Sequence, residues 1–102
     1  MVKIDKIVFC NEDYKIIHNN RDFTLINLKG ERENHGHLMK QDTCMMLIRL
    51  MRNKIVPKSL YLQNAVLRIT TDEKYKELIL AKQDKNINKQ RYININHGIK
   101  NK

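Results

Sequence analysis

Apolar and polar positions alternate in three short stretches of the first forty residues. "KIDKIVFC" begins at Lys3, "YKII" at Tyr14 and "FTLINL" at Phe23, and a period of two residues is typical of strands. The polar segments "NED" and "HNNRD" separate them, and Asn19 and Asn20 tolerate the positive φ of a tight hairpin turn. The pattern therefore predicts an antiparallel meander of three strands.

The stretch that follows leaves two alternatives open. Gly30 predicts a turn within "LKGERE". The residues from there to His37 form either a fourth, polar edge strand or a connecting loop.

After residue 40 the apolar period lengthens to that of a helix. We expect a first helix over residues 43–54, with Asp42 or Thr43 as its N-cap, and Pro57 in "IVPKS" separates it from the next helix. Met45, Met46 and Leu50 widen its apolar arc and leave room for a homodimer or partner contact. The predicted buried face of this helix is Cys44, Leu47, Ile48, Met51 and Ile55.

Two further helices are expected. Ser59 can cap "LYLQNAVLRI", and Thr70 with Glu73 matches a capping box for a third helix that begins near Asp72. The apolar face of the third helix is Tyr75, Leu78 and Ile79. Further along the helix, the same face carries lysines. The predicted buried stripe of the second helix is Leu62, Ala65, Val66 and Ile69.

These elements predict a single α+β domain over residues 1–102. A three- or four-stranded antiparallel meander over residues 1–40 packs on two to three helices in a basic part, residues 43–90. Residues 91–102 are expected to form an extended or disordered tail, in which Ile93 and Ile95 alternate with polar residues.

Composition agrees with a small soluble domain. The chain has 102 residues, of which 41% are hydrophobic and 30% charged, without an apolar run long enough to span a bilayer. Cys10 and Cys44 lack metal or redox spacing, so we expect both to be buried small hydrophobes in a reduced compartment. A cytoplasmic protein without a cofactor is the resulting expectation.

Charge is distributed unevenly along the chain. Residues 1–42 carry seven basic and seven acidic side chains, whereas residues 43–102 carry thirteen basic and four acidic ones, which accounts for the whole net charge of +9. A one-sided positive field attracts polyanions, and nucleic acid is the leading partner class. The alternative is that these lysines are only solvated surface.

We therefore expect phosphate contacts from the basic helical part, with Tyr92 available to stack on a base. The chain has no glycine-rich phosphate loop and no nucleophile motif, so a non-enzymatic role is expected. The predicted nucleic-acid-binding residues are Arg49, Arg52, Lys58, Arg68, Lys82, Lys85, Lys89, Arg91 and Tyr92.

The segment "ENHGHLMK" raises a second kind of chemistry. If residues 31–37 are extended, Glu31, Glu33, His35 and His37 lie on one face, where imidazoles and carboxylates could bind Zn²⁺ or Mn²⁺ or transfer protons. Gly36 indicates positive φ or a close backbone approach. The favoured interpretation is a polar edge or contact surface of Glu33, His35 and His37, and metal binding is the alternative.

"VPKSLYLQNAVLRI" resembles the start of the second helix in ribbon-helix-helix DNA-binding proteins. The resemblance covers about residues 35–69 and rests on Val56, Ser59, Leu62, Ala65 and Val66. It implies that a strand before the first helix pairs with its twin in a dimer and reads the major groove through residues 34–40, and that Lys58 and Ser59 touch phosphate. The chain departs from the family in lacking a glycine between the helices, in having a poor strand and in adding a meander.

In overall style the chain, rich in lysine, isoleucine and asparagine, resembles small open reading frames of low-GC Gram-positive bacteria and their phages. That resemblance implies a phage or mobile-element regulator, or an anti-CRISPR-like inhibitor of nucleic-acid-directed defence. The expected partner is thus nucleic acid or a nucleic-acid-bound protein complex, with no membrane. The alternatives are a protein-binding or nucleotide-sequestering protein and a metal-dependent hydrolase that uses His35 and His37.

Overall fold

The computed structural model describes residues 5–85, which form an antiparallel sheet followed by helices. This arrangement confirms the predicted α+β class. The sequence of elements is β1 (Lys6–Cys10), β2 (Tyr14–His18), β3 (Phe23–Asn27), β4 (His35–Leu38), α1 (Gln41–Arg52), α2 (Leu60–Ile69) and α3 (residues 73–85).

The sheet is a meander with the strand order β1-β2-β3-β4, and every neighbouring pair is antiparallel. A register shift between Ile7 and Phe9 interrupts the pairing of β1 with β2. Ile16 lies opposite Leu25, which lies opposite Gly36, and all three are buried. This row defines the inner face, and the helices cover it.

The opposite side is the outer sheet face. Because side chains alternate along a strand, the neighbouring positions Ile17, Thr24 and His37 form one row across it, and Lys15, Ile26 and His35 form another. These residues are half-buried or exposed.

The turn between β2 and β3 forms by a mechanism different from the one expected. Within residues 5–85 the only non-glycine residue with positive φ is Lys54, so the prediction that Asn19 and Asn20 adopt positive φ is wrong. Instead the Asn19 side-chain oxygen accepts hydrogen bonds from the backbone N–H groups of Arg21 (3.1 Å) and Asp22 (3.0 Å). Asparagine therefore closes this turn with its side chain.

The helices enclose one apolar core against the inner face. Cys44 is buried as predicted, and burial raises the pKa of its thiol to about 11. Cys10 is exposed at the end of β1, so the prediction that both cysteines are buried is wrong. The buried apolar residues are Ile16, Leu25, Leu38, Cys44, Leu47, Ile48, Met51, Val66, Ile69, Tyr75 and Ile79.

Helix α1 begins and ends about two residues earlier than predicted. Its N-cap is Lys40, which makes no side-chain capping bond, so the assignment of Asp42 or Thr43 is wrong. At its C-terminus Lys54 has φ 57°, its N–H donates to Met51 O, and the N–H of Ile55 donates to Leu50 O. This is a Schellman motif in which lysine stands where glycine is usual.

Because the chain leaves the helix there, Ile55 is 49% exposed and does not join the predicted buried face.

Helices α2 and α3 are capped by their own N-terminal side chains. The Ser59 hydroxyl accepts a hydrogen bond from Leu62 N at 3.1 Å, which confirms that cap. The Asp72 carboxylate accepts one from Tyr75 N at 3.1 Å, so the cap of α3 is Asp72 and the predicted capping box of Thr70 with Glu73 is wrong.

Two face predictions need correction. In α2 the buried residues are Gln63, Val66 and Ile69, whereas Leu62 and Ala65 are only half-buried. Gln63 is tolerated there because its amide donates to the carbonyl of Pro57 at 2.8 Å. In α3, Tyr75 and Ile79 are buried, but Leu78 is 54% exposed and does not belong to the buried face.

Candidate nucleic-acid interface

Six of the nine residues predicted to bind nucleic acid lie in the described part of the chain. They occupy the last turn of α1, the approach to α2 and its last turn, and the second half of α3. Arg49, Arg52, Lys58, Arg68 and Lys85 are exposed, and Lys82 is half-buried. Lys89, Arg91 and Tyr92, together with the predicted tail, lie outside the described residues.

These six cations are free of carboxylate partners within residues 5–85. The ion pairs there use other cations: Lys29 with Asp13 (2.9 Å), Lys54 with Asp72 (2.7 Å), Lys76 with Glu73 (3.5 Å) and His37 with Asp22 (3.6 Å). An external anion can therefore reach these six without displacing an internal partner, and the same holds for the other described cations that form no ion pair: Lys6, Lys15, Arg21, Arg32, Lys40 and Lys74.

Arg68 borders a shallow open depression of about 640 Å³ between the β3–β4 connection and the start of α3. Lys76 also lines it, together with Glu33 and Glu73. Basic and acidic side chains are equal in number here, so the depression by itself has no strong preference for an anion.

Arg52 borders a second depression, of about 290 Å³, between the end of α1, the start of α3 and the sheet. Lys29 and Lys54 are also there, but each is paired with a carboxylate. Thr71 lines both depressions, so Arg52 and Arg68 stand on either side of the α2–α3 connection. Each of these two depressions thus contains one of the six predicted cations, so the structure does not gather Arg52 and Arg68 in one cleft.

Two asparagines that stabilise this region were not predicted from the sequence. The Asn27 amide donates to Ile69 O (2.9 Å) and the Asn34 amide donates to Arg68 O (3.0 Å), so both satisfy carbonyls at the C-terminal end of α2. Asn27 is buried. Its position on the inner face of "FTLIN", two residues after Leu25, was the available signal for a structural role.

The predicted histidine row is reduced to two residues. His35 and His37 share the outer sheet face, but Glu31 and Glu33 lie in the connection before β4, so the prediction of a four-residue row is wrong. Among residues 5–85 no three His, Cys, Asp or Glu side chains are grouped closely enough to hold a metal ion.

Gly36 separates the two histidines because of a close approach. A Cβ atom there would lie 3.0 Å from Cδ1 of Ile69 on α2. No glycine among the described residues has positive φ, so of the two sequence interpretations the close approach is confirmed.

The segment with the ribbon-helix-helix resemblance contains a strand followed by two helices, β4, α1 and α2. One edge of β4 is hydrogen-bonded to β3 of the same chain. The Tyr61 hydroxyl donates to the carbonyl of His37 at 3.4 Å. Pairing of β4 with a twin would therefore take place at the edge that faces away from β3.

Comparison with protein-family models, with curated proteins and with solved structures finds no match to this chain. Within the described residues, every helix is too short or too polar to cross a membrane.

Proposed function

We propose that the protein is a small basic, non-enzymatic binding module for nucleic acid or a ribonucleoprotein, acting in the cytoplasm. The observation that carries the proposal is the charge excess of the helical part, where residues 43–85 carry nine basic and four acidic side chains. Within that part Lys54 and Lys76 are paired with carboxylates, whereas the six predicted cations are not. Unpaired, solvated cations are the groups that bind phosphate without first losing an internal partner.

The sequence after Asp84 is also basic. Asp84 is the last acidic residue, and residues 85–102 contain Lys85, Lys89, Arg91, Lys100 and Lys102. The excess of positive charge in the sequence therefore continues after the described part. Such a charge distribution favours recognition of the phosphate backbone over reading of base edges.

The proposed mechanism is electrostatic and should be steeply dependent on salt. Each neutralised phosphate of duplex DNA contributes about −0.9 to the slope of log affinity against log salt concentration. Contacts from the six described cations would give a slope of about −5.

A fluorescence-anisotropy titration with labelled single-stranded RNA and duplex DNA tests the proposal. K82Q/K85Q/K89Q removes three charges from the proposed surface and should lower affinity and flatten the salt slope by about 2–3. K6Q/K15Q/K29Q removes the same number of charges from the β part and should leave both nearly unchanged. Equal losses from the two variants, or a salt-independent signal, would contradict the proposal.

The resemblance of the amino-acid composition to that of phage proteins suggests a narrower form of the same role: a regulator or inhibitor that engages a nucleic-acid-bound defence complex. A pull-down from the host with and without nuclease separates this form from direct binding. A partner protein that is retained only when nucleic acid is intact supports the direct form, and one that is retained after nuclease treatment supports the narrower form.

A further inference from the structure

We propose that β4 carries a two-histidine site for a divalent first-row transition-metal ion such as Zn²⁺, with water in the remaining coordination positions. His35 and His37 lie on the outer sheet face, one residue apart on the same strand, and their ring centres are 5.2 Å apart. The site lies on the side of the sheet opposite the helices and does not depend on the proposed function.

The separation of the rings fits a shared ion. A Zn–N bond of about 2.0–2.1 Å places the metal about 3.2 Å from each imidazole centre, so two rings at a tetrahedral angle have centres about 5 Å apart. The observed 5.2 Å is close to that value. The two ring planes are nearly perpendicular, at 86°. This angle is compatible with a shared ion, because rotation of a ring about its metal–nitrogen bond leaves the bond length unaffected.

The hydrogen bond of His35 determines which nitrogen is available. Its Nδ1 lies 2.9 Å from the carbonyl oxygen of Arg32. Because a carbonyl only accepts, Nδ1 carries the proton in this contact, and in the neutral ring Nε2 keeps its lone pair. A metal-binding histidine usually has this arrangement, with one nitrogen donating to a carbonyl or carboxylate and the other on the ion.

His37 is held through the same nitrogen. Its Nδ1 lies 3.1 Å from Thr24 Oγ1 and 3.6 Å from Asp22 Oδ1. The Asn19 amide donates to both of these oxygen atoms, at 3.1 Å and 2.8 Å. Residues of the β2–β3 turn and of β3 therefore position the ring. When Nδ1 donates to the Thr24 hydroxyl or the Asp22 carboxylate, Nε2 keeps its lone pair for a ligand.

The backbone between the two rings is also fixed. Gly36 packs against Ile69 on the inner face, and β4 is hydrogen-bonded to β3 along its length. Two imidazoles suit Zn²⁺, Cu²⁺ or Ni²⁺ and suit Mg²⁺ or Ca²⁺ poorly. With two protein ligands the affinity should be lower than that of a four-ligand structural zinc site.

Equilibrium dialysis of the full chain against ZnCl₂, with MgCl₂ in parallel, tests the site. The wild type should bind one Zn²⁺ per chain and no Mg²⁺. H35Q/H37Q should lose zinc binding, whereas H18Q/H97Q, which removes the same number of histidines elsewhere, should retain it. Zinc binding that persists in H35Q/H37Q, or that is absent from the wild type, overturns the proposal.

A second measurement identifies which imidazole nitrogen of each histidine binds the metal. On addition of Zn²⁺ the ¹⁵N resonances of Nε2 of His35 and His37 should shift, while their Nδ1 atoms stay protonated. T24V removes the hydroxyl beside His37 and should weaken zinc binding about 10-fold without removing a ligand. Coordination through Nδ1, or unchanged affinity in T24V, would contradict the proposed geometry.

Discussion

At the scale of single residues, Gly36 shows how one position fixes the distance between two layers. It lies on the inner face of β4, and a Cβ atom there would lie 3.0 Å from Cδ1 and 3.3 Å from Cγ1 of Ile69. Ile69 is fully buried, so it has little space in which to move away. A side chain at residue 36 must therefore shift α2 away from the sheet or distort Ile69.

We expect G36A to destabilise the fold by about 1–2 kcal/mol, since overpacking costs about 1–3 kcal/mol and alanine restricts the unfolded chain by less than that. I69V alone should cost about 0.5–1.5 kcal/mol. In G36A/I69V the missing Cδ1 leaves space for the new methyl group, so the combined cost should be smaller than the sum. Chemical denaturation of the four proteins measures this coupling, and strict additivity would show that the contact is not responsible.

At the scale of elements, the connection between α1 and α2 is attached to the start of α3. The Lys54 ammonium lies 2.7 Å from the Asp72 carboxylate and 5.7 Å from the centre of the Tyr75 ring. The Tyr75 hydroxyl donates to the carbonyl of Ile55, and burial raises the pKa of that hydroxyl to about 12, so it remains a donor at neutral pH. The positive-φ residue Lys54 thus joins the C-terminal end of α1 to the N-terminal end of α3.

This connection should make stability depend on pH in the acid range. The hydrogen bond from Lys54, and next the backbone N–H of Tyr75, lower the pKa of Asp72 below its ordinary value of 3.8. A lowered carboxyl pKa stabilises the fold above about pH 4, and the contribution is lost as the pH falls through the folded-state value. The wild type should therefore lose thermal stability between about pH 5 and pH 2 more steeply than D72N.

D72N is an informative variant because asparagine caps a helix about as well as aspartate but cannot carry the charge. Thermal melts across that range measure the difference between the two proteins. D84N, which removes an exposed acid from α3, should leave the steepness unchanged. A constant difference between wild type and D72N at every pH would mean that the carboxylate charge does not contribute.

The sequence predicted element types more reliably than the interactions at their ends. Period and β-branched content were sufficient for the three strands, and Ser59 was recognised as a cap because its side chain acts within one turn. Asp72 was misassigned because Thr70 and Glu73 have the spacing of a capping box, while Thr70 is instead the C-cap of α2. The exposure of Cys10 depends on how β1 pairs with β2, and Gln63 is buried because it reaches Pro57, so neither follows from local periodicity.

The candidate sites show the same division. That His35 and His37 share a face followed from alternation, but the exclusion of Glu33 required the position at which β4 begins. The hydrogen bonds of these rings to Arg32 and Thr24 depend on a turn conformation and on cross-strand register. The lack of ion pairs at the six cations, and the exposure of five of them, are likewise tertiary properties.

At the scale of the whole molecule, the uneven charge has a cost for folding. Among the described residues, 43–85 carry nine basic and four acidic side chains, and like charges brought together in the folded state repel one another. Salt screens this repulsion over a distance of about 10 Å at 0.1 M. Salt also screens the four ion pairs among the described residues, but in each of them one side chain is at least half exposed, and such pairs contribute little.

Repulsion should therefore dominate, and the melting temperature of the nucleic-acid-free protein should rise as NaCl is raised from low to moderate concentration. K82Q/K85Q/K89Q should reduce this rise because it removes charge from the basic part, while K6Q/K15Q/K29Q should leave most of it. Differential scanning calorimetry after nuclease treatment and ion exchange measures the effect. A melting temperature that falls with salt would mean that attractive ion pairs outweigh the repulsion, and it would contradict the expected cost of the uneven charge.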